Sequence, residues 1–203
     1  MLKILNSLVV VFILAVVSPR VCSAEIAVGD PAPDFSLIDS NETQRSLSEF
    51  QGKYVVLEWF NPQCPFVRNH YDSENMQNLQ KKYTSQDVTW LSINSSAEGK
   101  QGNLSPEGAR QFIAAKNVSS TAVLLDPDGN AGNLYGAKTT PHMFIIDPDG
   151  KLIYQGAIDD MPSTDPEDIV LAKNYVDDTL SSVLAGQPVA PFSTKSYGCS
   201  VKY

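Results

Sequence analysis

The chain has 203 residues, of which 42% are hydrophobic, and a formal net charge of −8 at neutral pH. This length and apolar content are sufficient for one ordinary globular domain. The acidic balance argues against a nucleic-acid-binding protein, because contact with phosphate backbones requires a basic surface, and we expect no nucleic-acid partner.

Residues 1–24 have the pattern of a secretory signal peptide. Lys3 precedes an apolar run at 4–17, and the segment ends in the small residues Ser23 and Ala24. The run is shorter than the roughly 18 residues of a membrane-spanning helix, although an uncleaved anchor is an alternative. We expect cleavage after Ala24, export to the periplasm or the medium, and no stable membrane insertion of the mature chain. Cleavage removes two basic residues and no acids, which takes the net charge from −8 to −10.

The first strands and turns can be located from apolar patterning. The Gly/Pro-rich stretch GDPAPDFSL at 29–37 predicts a short strand, and LSEFQG at 47–52 predicts a single helical turn. Residues 54–60 form an apolar run that only Glu58 interrupts. Such a run is typical of a strand that is buried on both faces.

A helix is predicted at 66–82, directly after this strand and a break at Asn61 and Pro62. Pro65 fits its first turn, because an N–H group there has no intrahelical partner. Cys64 then lies at the helix N-terminus, where aligned peptide dipoles and free N–H groups stabilise a thiolate. We therefore predict that Cys64 is a reactive thiol; the alternative is a buried structural cysteine.

The rest of the chain completes an α/β pattern. The expected elements are a strand at 87–93, a helix from Ser105 to about Asn117, a strand at 121–125, a hairpin of strands at 142–146 and 152–154, and a long amphipathic helix at 166–185. This order predicts an α/β sandwich with a central mixed β-sheet flanked by helices. We divide the chain into the signal peptide at 1–24, a domain at 25–186 and a C-terminal tail at 187–203 without clear periodicity.

The motif DPDG occurs twice, at 126–129 and 147–150. We interpret both copies as tight turns. The alternative is a calcium loop with Asp126, Asp128 and Asn130 as ligands, but the remaining ligand spacing is missing.

The segment around Cys64 resembles the active site of the thioredoxin fold. Glu58, Trp59, Phe60 and Cys64 match the acid, the two aromatic residues and the first cysteine of thioredoxins without a gap. Within that fold the chain is most similar to the alkyl hydroperoxide reductase/thiol-specific antioxidant (AhpC/TSA) redoxins, over roughly residues 28–156. The resemblance implies a thioredoxin-like sandwich.

The sequence departs from both chemistries that are well defined for these redoxins. Val67 stands where the C-x-x-C motif has its second cysteine. Leu57 and Asn61 stand where the peroxiredoxin signature has Pro and either Thr or Ser. Peroxide and disulfide substrates therefore both stay open.

The resemblance also implies roles for other residues. Glu58 would accept and donate protons for Cys64, with a pKa raised by burial; the alternative is a structural acid that reaches a surface lysine. Thr140 and Pro141 would form a cis peptide opposite the cysteine, with the Thr140 backbone contacting a bound thiol or peptide. The alternative is a trans proline that begins a strand.

Three further residues are candidates for positioning charge or protons. Arg68 follows Cys64 by one helical turn and can stabilise a thiolate or a peroxide oxygen, or can be a solvated helix charge. His70 and His142 are weaker candidates, as proton shuttles or as ordinary surface or core residues.

Cys199 is the other cysteine that remains after Cys22 leaves with the signal peptide. A reactive thiol in an oxidising compartment needs a partner to escape irreversible over-oxidation. We predict that Cys199 resolves oxidised Cys64; the alternative is an unpaired or intermolecular cysteine.

Together these features predict an exported thiol-dependent oxidoreductase or antioxidant. Cys64 attacks a peroxide or a disulfide, Cys199 resolves the product, and an external thiol or dithiol reductant regenerates the protein. No cofactor is expected. The alternatives are a module that binds copper(I) or another metal through Cys64, Cys199 and a histidine, and a redox-silent interaction domain.

Overall fold

A computed structural model describes residues 26–203; the predicted signal peptide at 1–24 lies outside the described residues. The strands are β1 Ser36–Asp39, β2 Gln44–Ser46, β3 Val55–Trp59, β4 Thr89–Asn94, β5 Ala122–Leu125, β6 Thr139–Thr140, β7 His142–Ile146, β8 Leu152–Gly156, β9 Phe192–Ser193 and β10 Cys199–Ser200. The helices are α1 Pro65–Asp72, α2 Asn75–Thr84, α3 Pro106–Lys116, α4 Asn130–Tyr135, α5 Pro166–Ile169 and α6 Tyr175–Leu184, with a 3-10 turn at Leu47–Phe50.

Eight strands form one mixed sheet in the order β2-β1-β5-β4-β3-β7-β8-β9. β3 lies inside it, parallel to β4 and antiparallel to β7. Val56 and Phe60 belong to the core on one side of the sheet, and Leu57 and Trp59 to the core on the other. The predicted central mixed sheet with flanking helices is therefore confirmed, and the doubly buried strand is where its apolar run indicates.

The predicted helix at 66–82 is wrong in one respect, because it is two helices. α1 ends at Asp72, and Glu74 adopts a left-handed conformation before α2 begins. The Ser73 hydroxyl donates to the Asn69 carbonyl at 2.7 Å, and the Gln77 side chain donates to the Tyr71 carbonyl at 2.8 Å. The Gln77 side chain thus helps to satisfy the Tyr71 carbonyl, which a continuous helix would have bonded to the Asn75 N–H. The Ser73 hydroxyl is a second donor to the Asn69 carbonyl, which also accepts from the Ser73 N–H at 3.1 Å.

The predicted long helix at 166–185 is also wrong. It is divided into α5 and α6, and between them Val170 and Leu171 are 84% and 73% exposed. Asn174 begins α6, because its side chain accepts from the Asp177 N–H, and the Tyr175 N–H donates to the Ile158 carbonyl at 3.0 Å. The contact with the segment after β8 therefore fixes a new helix start, which apolar periodicity does not reveal.

The C-terminal segment is paired with the body of the domain at two places. We call residues 192–203 the strap. Its β9 runs parallel to β8 at one end of the main sheet, and its β10 pairs antiparallel with β6 in a separate two-stranded sheet. The tail predicted at 187–203 thus contributes two short strands.

Within residues 26–203, no helix has both the length and the apolar character that a membrane crossing requires.

Candidate active site

Cys64 caps the N-terminus of α1 directly after the central strand β3. Its N–H donates to the Asn61 carbonyl at 3.0 Å, and Pro65 occupies the first turn of the helix. The side chain is only 1% exposed and belongs to the core cluster that contains Phe60 and Val67. The local pattern of strand, turn and proline thus places the thiol at a helix N-terminus, as predicted, and the thiol is buried there.

The Thr140–Pro141 peptide lies against this thiol and is cis. Cys64 Sγ donates to the Thr140 carbonyl oxygen at 3.0 Å. The Thr140 hydroxyl is buried and has no hydrogen-bond partner among the described groups. The structure therefore brings together Cys64, Thr140 and Pro141, three of the residues singled out from the sequence.

The strap adds Cys199 to the same place. In the β6–β10 ladder Cys199 is paired with Thr140, whose carbonyl accepts from Cys64. Gly198 makes this approach sterically feasible: its φ is +119°, and a Cβ there would lie 2.1 Å from the Thr140 carbonyl oxygen. Only glycine accommodates both the positive φ and the short contact. The two free cysteines of the described chain are thus neighbours.

The two thiols have opposite pKa shifts. Burial alone would raise the pKa of Cys64, but hydrogen bonding from the Cys199 thiol, the nearby Val67 N–H and Thr140 lowers it below its ordinary value. Burial, followed by the interaction with Cys64, raises the pKa of Cys199 to about 11. In the reduced protein a thiolate therefore forms preferentially on Cys64, with Cys199 as its proton-bearing neighbour.

Glu58 is fully buried on β3, and its carboxylate accepts four hydrogen bonds. The donors lie between 2.8 and 3.0 Å away and are Tyr71, Gln80, Trp90 and Ser92. Burial raises its pKa, and the four hydrogen bonds oppose that shift. The carboxylate reaches no surface lysine, so that alternative is wrong; its role in proton transfer stays a prediction.

Arg68 is turned away from the cysteine pair. Its side chain is 64% exposed, and its guanidinium lies 3.9 Å from the Asp72 carboxylate. This geometry fits a solvated helix charge better than a group that binds a thiolate. A role for Arg68 in anion stabilisation stays a prediction that the geometry does not support.

With the cysteine pair located, the chain can be compared with known proteins. The family model described as the AhpC/TSA family matches residues 28–155, more than half of the chain. The chain belongs to the AhpC/TSA family. A relative, the thiol-disulfide oxidoreductase ResA of Bacillus subtilis, is 28% identical over 128 residues, which are 63% of this chain and 66% of ResA. The match thus spans just under two thirds of that relative.

Solved structures place this AhpC/TSA chain in a known fold. A hypothetical protein from Sinorhizobium meliloti has a TM-score of 0.73 at 24% identity, covering 89% of this chain and 96% of that one. The thioredoxin domain of a thiol-disulfide oxidoreductase from Bacteroides vulgatus has a TM-score of 0.52 at 21% identity, covering 72% and 97%. The thioredoxin-like fold predicted from the sequence is therefore confirmed.

A buried polar cluster beside α1 was not recognised as a unit from the sequence. Tyr197 of the strap donates to Asp159 at 2.6 Å, and its hydroxyl lies 3.2 Å from His70 Nε2. Asn75 contacts the other ring nitrogen of His70 at 2.9 Å. The sequence indicates only His70, as a weak candidate, because Asp159 and Tyr197 lie far from it along the chain. The cluster holds the strap beside Cys64.

His142 is not part of the cysteine site. Its Nδ1 accepts from the Lys138 N–H at 3.3 Å, and its ring packs 4.5 Å from that of Phe144. Burial lowers the pKa of both His142 and His70 to about 4. Both imidazoles are therefore neutral at physiological pH.

The hypothesis of a metal site receives no geometric support in residues 26–203, where no group of three or more His, Cys, Asp or Glu side chains is arranged to hold an ion. The alternative of a calcium loop fails for a local reason. Asp126 is buried and accepts from Ser95 at 2.6 Å and from the Gly132 N–H at 2.9 Å. Its oxygens are thus occupied in holding the start of α4.

Proposed function

We propose that this AhpC/TSA protein is an exported thiol-dependent oxidoreductase whose redox centre is the pair Cys64 and Cys199. The observation that carries this proposal is the pairing of Cys199 with Thr140 directly over the Cys64 thiol. A disulfide requires Cα atoms within about 7 Å, a requirement that favours neighbouring thiols such as these. Export is inferred from the segment at 1–24.

Disulfides are the substrate class that we favour. The name of the ResA relative supports disulfide exchange, and a pair of neighbouring thiols can reduce a disulfide completely without a further thiol. The reduced pair gives two electrons and two protons to a substrate disulfide: the substrate S–S bond breaks, and the Cys64–Cys199 bond forms. An external dithiol then donates two electrons and two protons and becomes a disulfide itself.

Peroxide is the second substrate class, and membership in the AhpC/TSA family favours it. Cys64 would become a sulfenic acid with release of water or alcohol, and Cys199 would condense with it and release water. Asn61 stands where the peroxiredoxin signature has Thr or Ser, and its side chain is bonded to the Gln101 carbonyl at 2.9 Å. This second activity is therefore expected to be the weaker.

Other side chains have supporting roles in this proposal. Glu58 accepts and donates protons within the buried hydrogen-bond network that it forms with Tyr71, Gln80, Trp90 and Ser92. The Thr140 hydroxyl donates to the Cys64 thiolate once the thiol proton has left, and Pro141 shapes the backbone against which the sulfur packs. Arg68 can contribute only a weak, solvent-screened field, because it is exposed.

The decisive experiment is non-reducing peptide mapping of the mature protein after oxidation by a low-molecular-weight disulfide or by hydrogen peroxide. We expect a peptide that links Cys64 and Cys199 within one chain. Cys199→Ser should form no link within the chain and, with hydrogen peroxide, should stop at a sulfenic acid on Cys64. If wild type gives only intermolecular links through Cys199, or free Cys199 beside oxidised Cys64, the two residues are not a redox pair.

A further inference from the structure

The two sulfurs differ in their access to solvent. Cys64 is only 1% exposed, whereas Cys199 is half-buried. Cys64 lies below Thr140, and the strap crosses Thr140 from the outside, so close that a Cβ on Gly198 would lie 2.1 Å from the Thr140 carbonyl oxygen. On the flank, the ring of Tyr197 packs 5.7 Å from that of Phe66 in the first turn of α1. A thiol larger than a few atoms cannot reach Cys64 while the strap is in place.

The strap is also anchored on both sides of Cys199. Before it, Tyr197 donates to buried Asp159 at 2.6 Å. After it, the Val201 N–H donates to the Lys138 carbonyl at 3.1 Å, and the Tyr203 hydroxyl donates to the Ala137 carbonyl at 2.8 Å. Lifting Cys199 away from Cys64 would break these contacts together, so exchange that leaves the strap in place is energetically favoured.

The direction of attack then distinguishes the two sulfurs. A thiolate attacks a disulfide sulfur along the S–S axis, from the side opposite to the leaving sulfur. In a disulfide of the two residues, that side of Cys199 lies away from Cys64, and Cys199 is the half-buried member of the pair. That side of Cys64 lies away from the strap, and Cys64 is buried in the core cluster that contains Phe60 and Val67. Attack from solvent is therefore open at Cys199 and blocked at Cys64.

The identity of the leaving group also favours attack at Cys199. Exchange is faster when the departing thiol is the more acidic one. Attack at Cys199 expels Cys64. The Cys199 thiol no longer donates to Cys64 at that stage, but the Val67 N–H and Thr140, which also lower the pKa of Cys64 against the effect of burial, remain beside it. The Thr140 hydroxyl, which has no hydrogen-bond partner among the described groups, can donate a hydrogen bond to that thiolate.

We propose that external thiols and disulfides exchange with this protein at Cys199, and that Cys64 exchanges only with Cys199. The proposal rests on the proposed function, because it presupposes the Cys64–Cys199 disulfide. An external thiolate R–S⁻ bonds to Cys199 Sγ, the Cys64–Cys199 bond breaks, and Cys64 leaves as a thiolate. A second thiol of the donor then attacks the R–S sulfur; Cys199 departs and takes up a proton.

The same path in reverse reduces a substrate disulfide. The Cys64 thiolate takes the proton of Cys199, and Cys199 then bonds to the substrate and expels its first thiolate. That thiolate takes the proton back from Cys64, and Cys64 attacks Cys199 and releases the second substrate thiolate, which is protonated by solvent. The order is opposite to the one expected from the sequence, in which Cys64 meets the substrate and Cys199 resolves. It also selects substrates: an exposed or low-molecular-weight disulfide can reach Cys199, whereas an extended peptide cannot pair with Thr140, because β10 already does.

The test starts from wild-type protein oxidised with diamide, whose intact mass shows whether the intramolecular disulfide has formed by the loss of two hydrogens. Absence of that disulfide would refute the proposed function. Once it is present, the later outcomes concern the exchange cysteine alone. Excess reduced glutathione is added, the reaction is quenched with N-ethylmaleimide, and the position of each adduct is mapped.

We expect glutathione on Cys199 and maleimide on Cys64, in about tenfold or greater excess over the opposite pattern. Glutathione mainly on Cys64, or equally on both, overturns the proposal. If the mixed disulfide is too short-lived to map, the reaction rates of Cys64→Ser and Cys199→Ser with oxidised glutathione decide. The protein that keeps Cys199 should react faster; equal or faster reaction of the protein that keeps Cys64 overturns the proposal.

A variant of the strap tests why Cys64 reacts slowly with external disulfides: either the strap covers it, or its thiol is intrinsically unreactive. In the Cys199→Ser background, Gly198→Ala should detach β10 and accelerate the reaction of Cys64 with oxidised glutathione. Gly186→Ala is the matched control, because Gly186 also has a positive φ of +74° but has no atom within 4 Å of its would-be Cβ. If Gly198→Ala leaves the reaction as slow as the control does, the strap is not what protects Cys64, and the proposal fails.

Discussion

The two cysteines are held by two very different regions of the molecule. The segment of β3 and α1 that carries Cys64 is fixed by its own sequence: an apolar strand, a break, a proline and a helix. The strap that carries Cys199 has only two-residue strands, and distant partners such as Asp159 and Thr140 hold it. One sulfur is therefore part of a rigid core, and the position of the other depends on a few separable contacts.

The largest effect is expected where the strap meets the core. Gly198→Ala would force a side chain into a left-handed backbone conformation and against the Thr140 carbonyl. Strain of this kind costs about 1–3 kcal/mol before the overlap is counted, so we expect disulfide formation to slow by about 100-fold. The measurement is the rate of loss of free thiols with oxidised dithiothreitol, followed by alkylation and mass.

Gly186→Ala is again the control for that variant, since it adds a methyl group at a positive φ without a steric partner. It should lower stability by about 1 kcal/mol and leave the rate of disulfide formation unchanged. Equal rates in the two variants would mean that the contact between Gly198 and Thr140 does not position Cys199.

The next largest effect tests the rigid core, through the buried Glu58 on β3. Glu58→Gln keeps the volume, and its amide can accept from Trp90 and Ser92 while donating to the Tyr71 oxygen, so we expect a folded protein. Loss of the proton acceptor should slow turnover by about 100-fold, the lower end for general acid–base catalysis. The rate of reduction of a low-molecular-weight disulfide is the measurement, and the exposed change Glu107→Gln should leave it unaltered.

The same variant has a signature in stability. Burial raises the folded-state pKa of Glu58, so the folded protein binds the proton more tightly than the unfolded chain does. The wild type therefore loses stability as pH rises from about 4.5 through the folded-state pKa, and Glu58→Gln lacks that loss. A constant difference between their urea midpoints across this range would contradict burial of a titrating carboxyl.

An intermediate effect should separate the two anchors of the strap. Tyr197→Phe removes the 2.6 Å donor of buried Asp159, whose carboxylate keeps the Met161 N–H at 3.1 Å, and loss of a hydrogen bond to a buried carboxylate costs about 1.5–3 kcal/mol. Tyr203→Phe removes only the bond to the Ala137 carbonyl, which should cost about 1 kcal/mol. Urea unfolding gives both values; a Tyr203 variant less stable than the Tyr197 variant would reverse this ranking of the anchors.

The smallest effect at neutral pH, which grows only on acidification, concerns the neutral histidine next to the central strand. Burial lowers the pKa of His142 to about 4, below the roughly 6.5 of an unfolded chain. The unfolded state therefore binds the proton first on acidification, and stability falls as pH drops from about 6.5 towards about 4. His142→Asn keeps an acceptor for the Lys138 N–H, and its stability should fall less steeply, by about 1 kcal/mol for each pH unit within that window.

Comparison with wild type isolates this histidine, because His70 and the buried carboxyl groups titrate in both proteins. Parallel pH curves for wild type and His142→Asn would show that His142 is protonated without cost in the folded protein.

Local patterns account for the parts of the fold that could be predicted. β3 follows from an apolar run, and α3 from Ser105 and Pro106, where the Ser105 side chain caps the Gly108 N–H at 3.1 Å. The break at Glu74 could not be predicted, because it depends on side chains that bond to carbonyl groups of the preceding turn. Apolar periodicity indicates which face of a helix is buried. It does not reveal where side chains compete with the helix backbone for carbonyl groups.

The residues of the candidate site also divide into those that local motifs predict and those that they do not. The position of Cys64 and the cis bond before Pro141 follow from motifs, and Gly198 next to Cys199 indicates a close approach. The cluster of His70, Asp159 and Tyr197 joins residues as far as 127 positions apart. No spacing rule connects such residues, because their proximity is decided by how the sheet and the strap are assembled.

The pairing of β9 with β8 has a consequence for the behaviour of the protein in solution. β8 would otherwise end the main sheet, and the strap covers it: Thr194 donates to the Gln155 carbonyl at 3.0 Å, and Tyr154 is paired with Phe192. A bare outer strand offers unpaired amide and carbonyl groups to other chains. A protein that loosened its whole C-terminal segment to expose Cys64 would thus also expose a template for association between molecules, whereas exchange at the outer sulfur leaves that template covered.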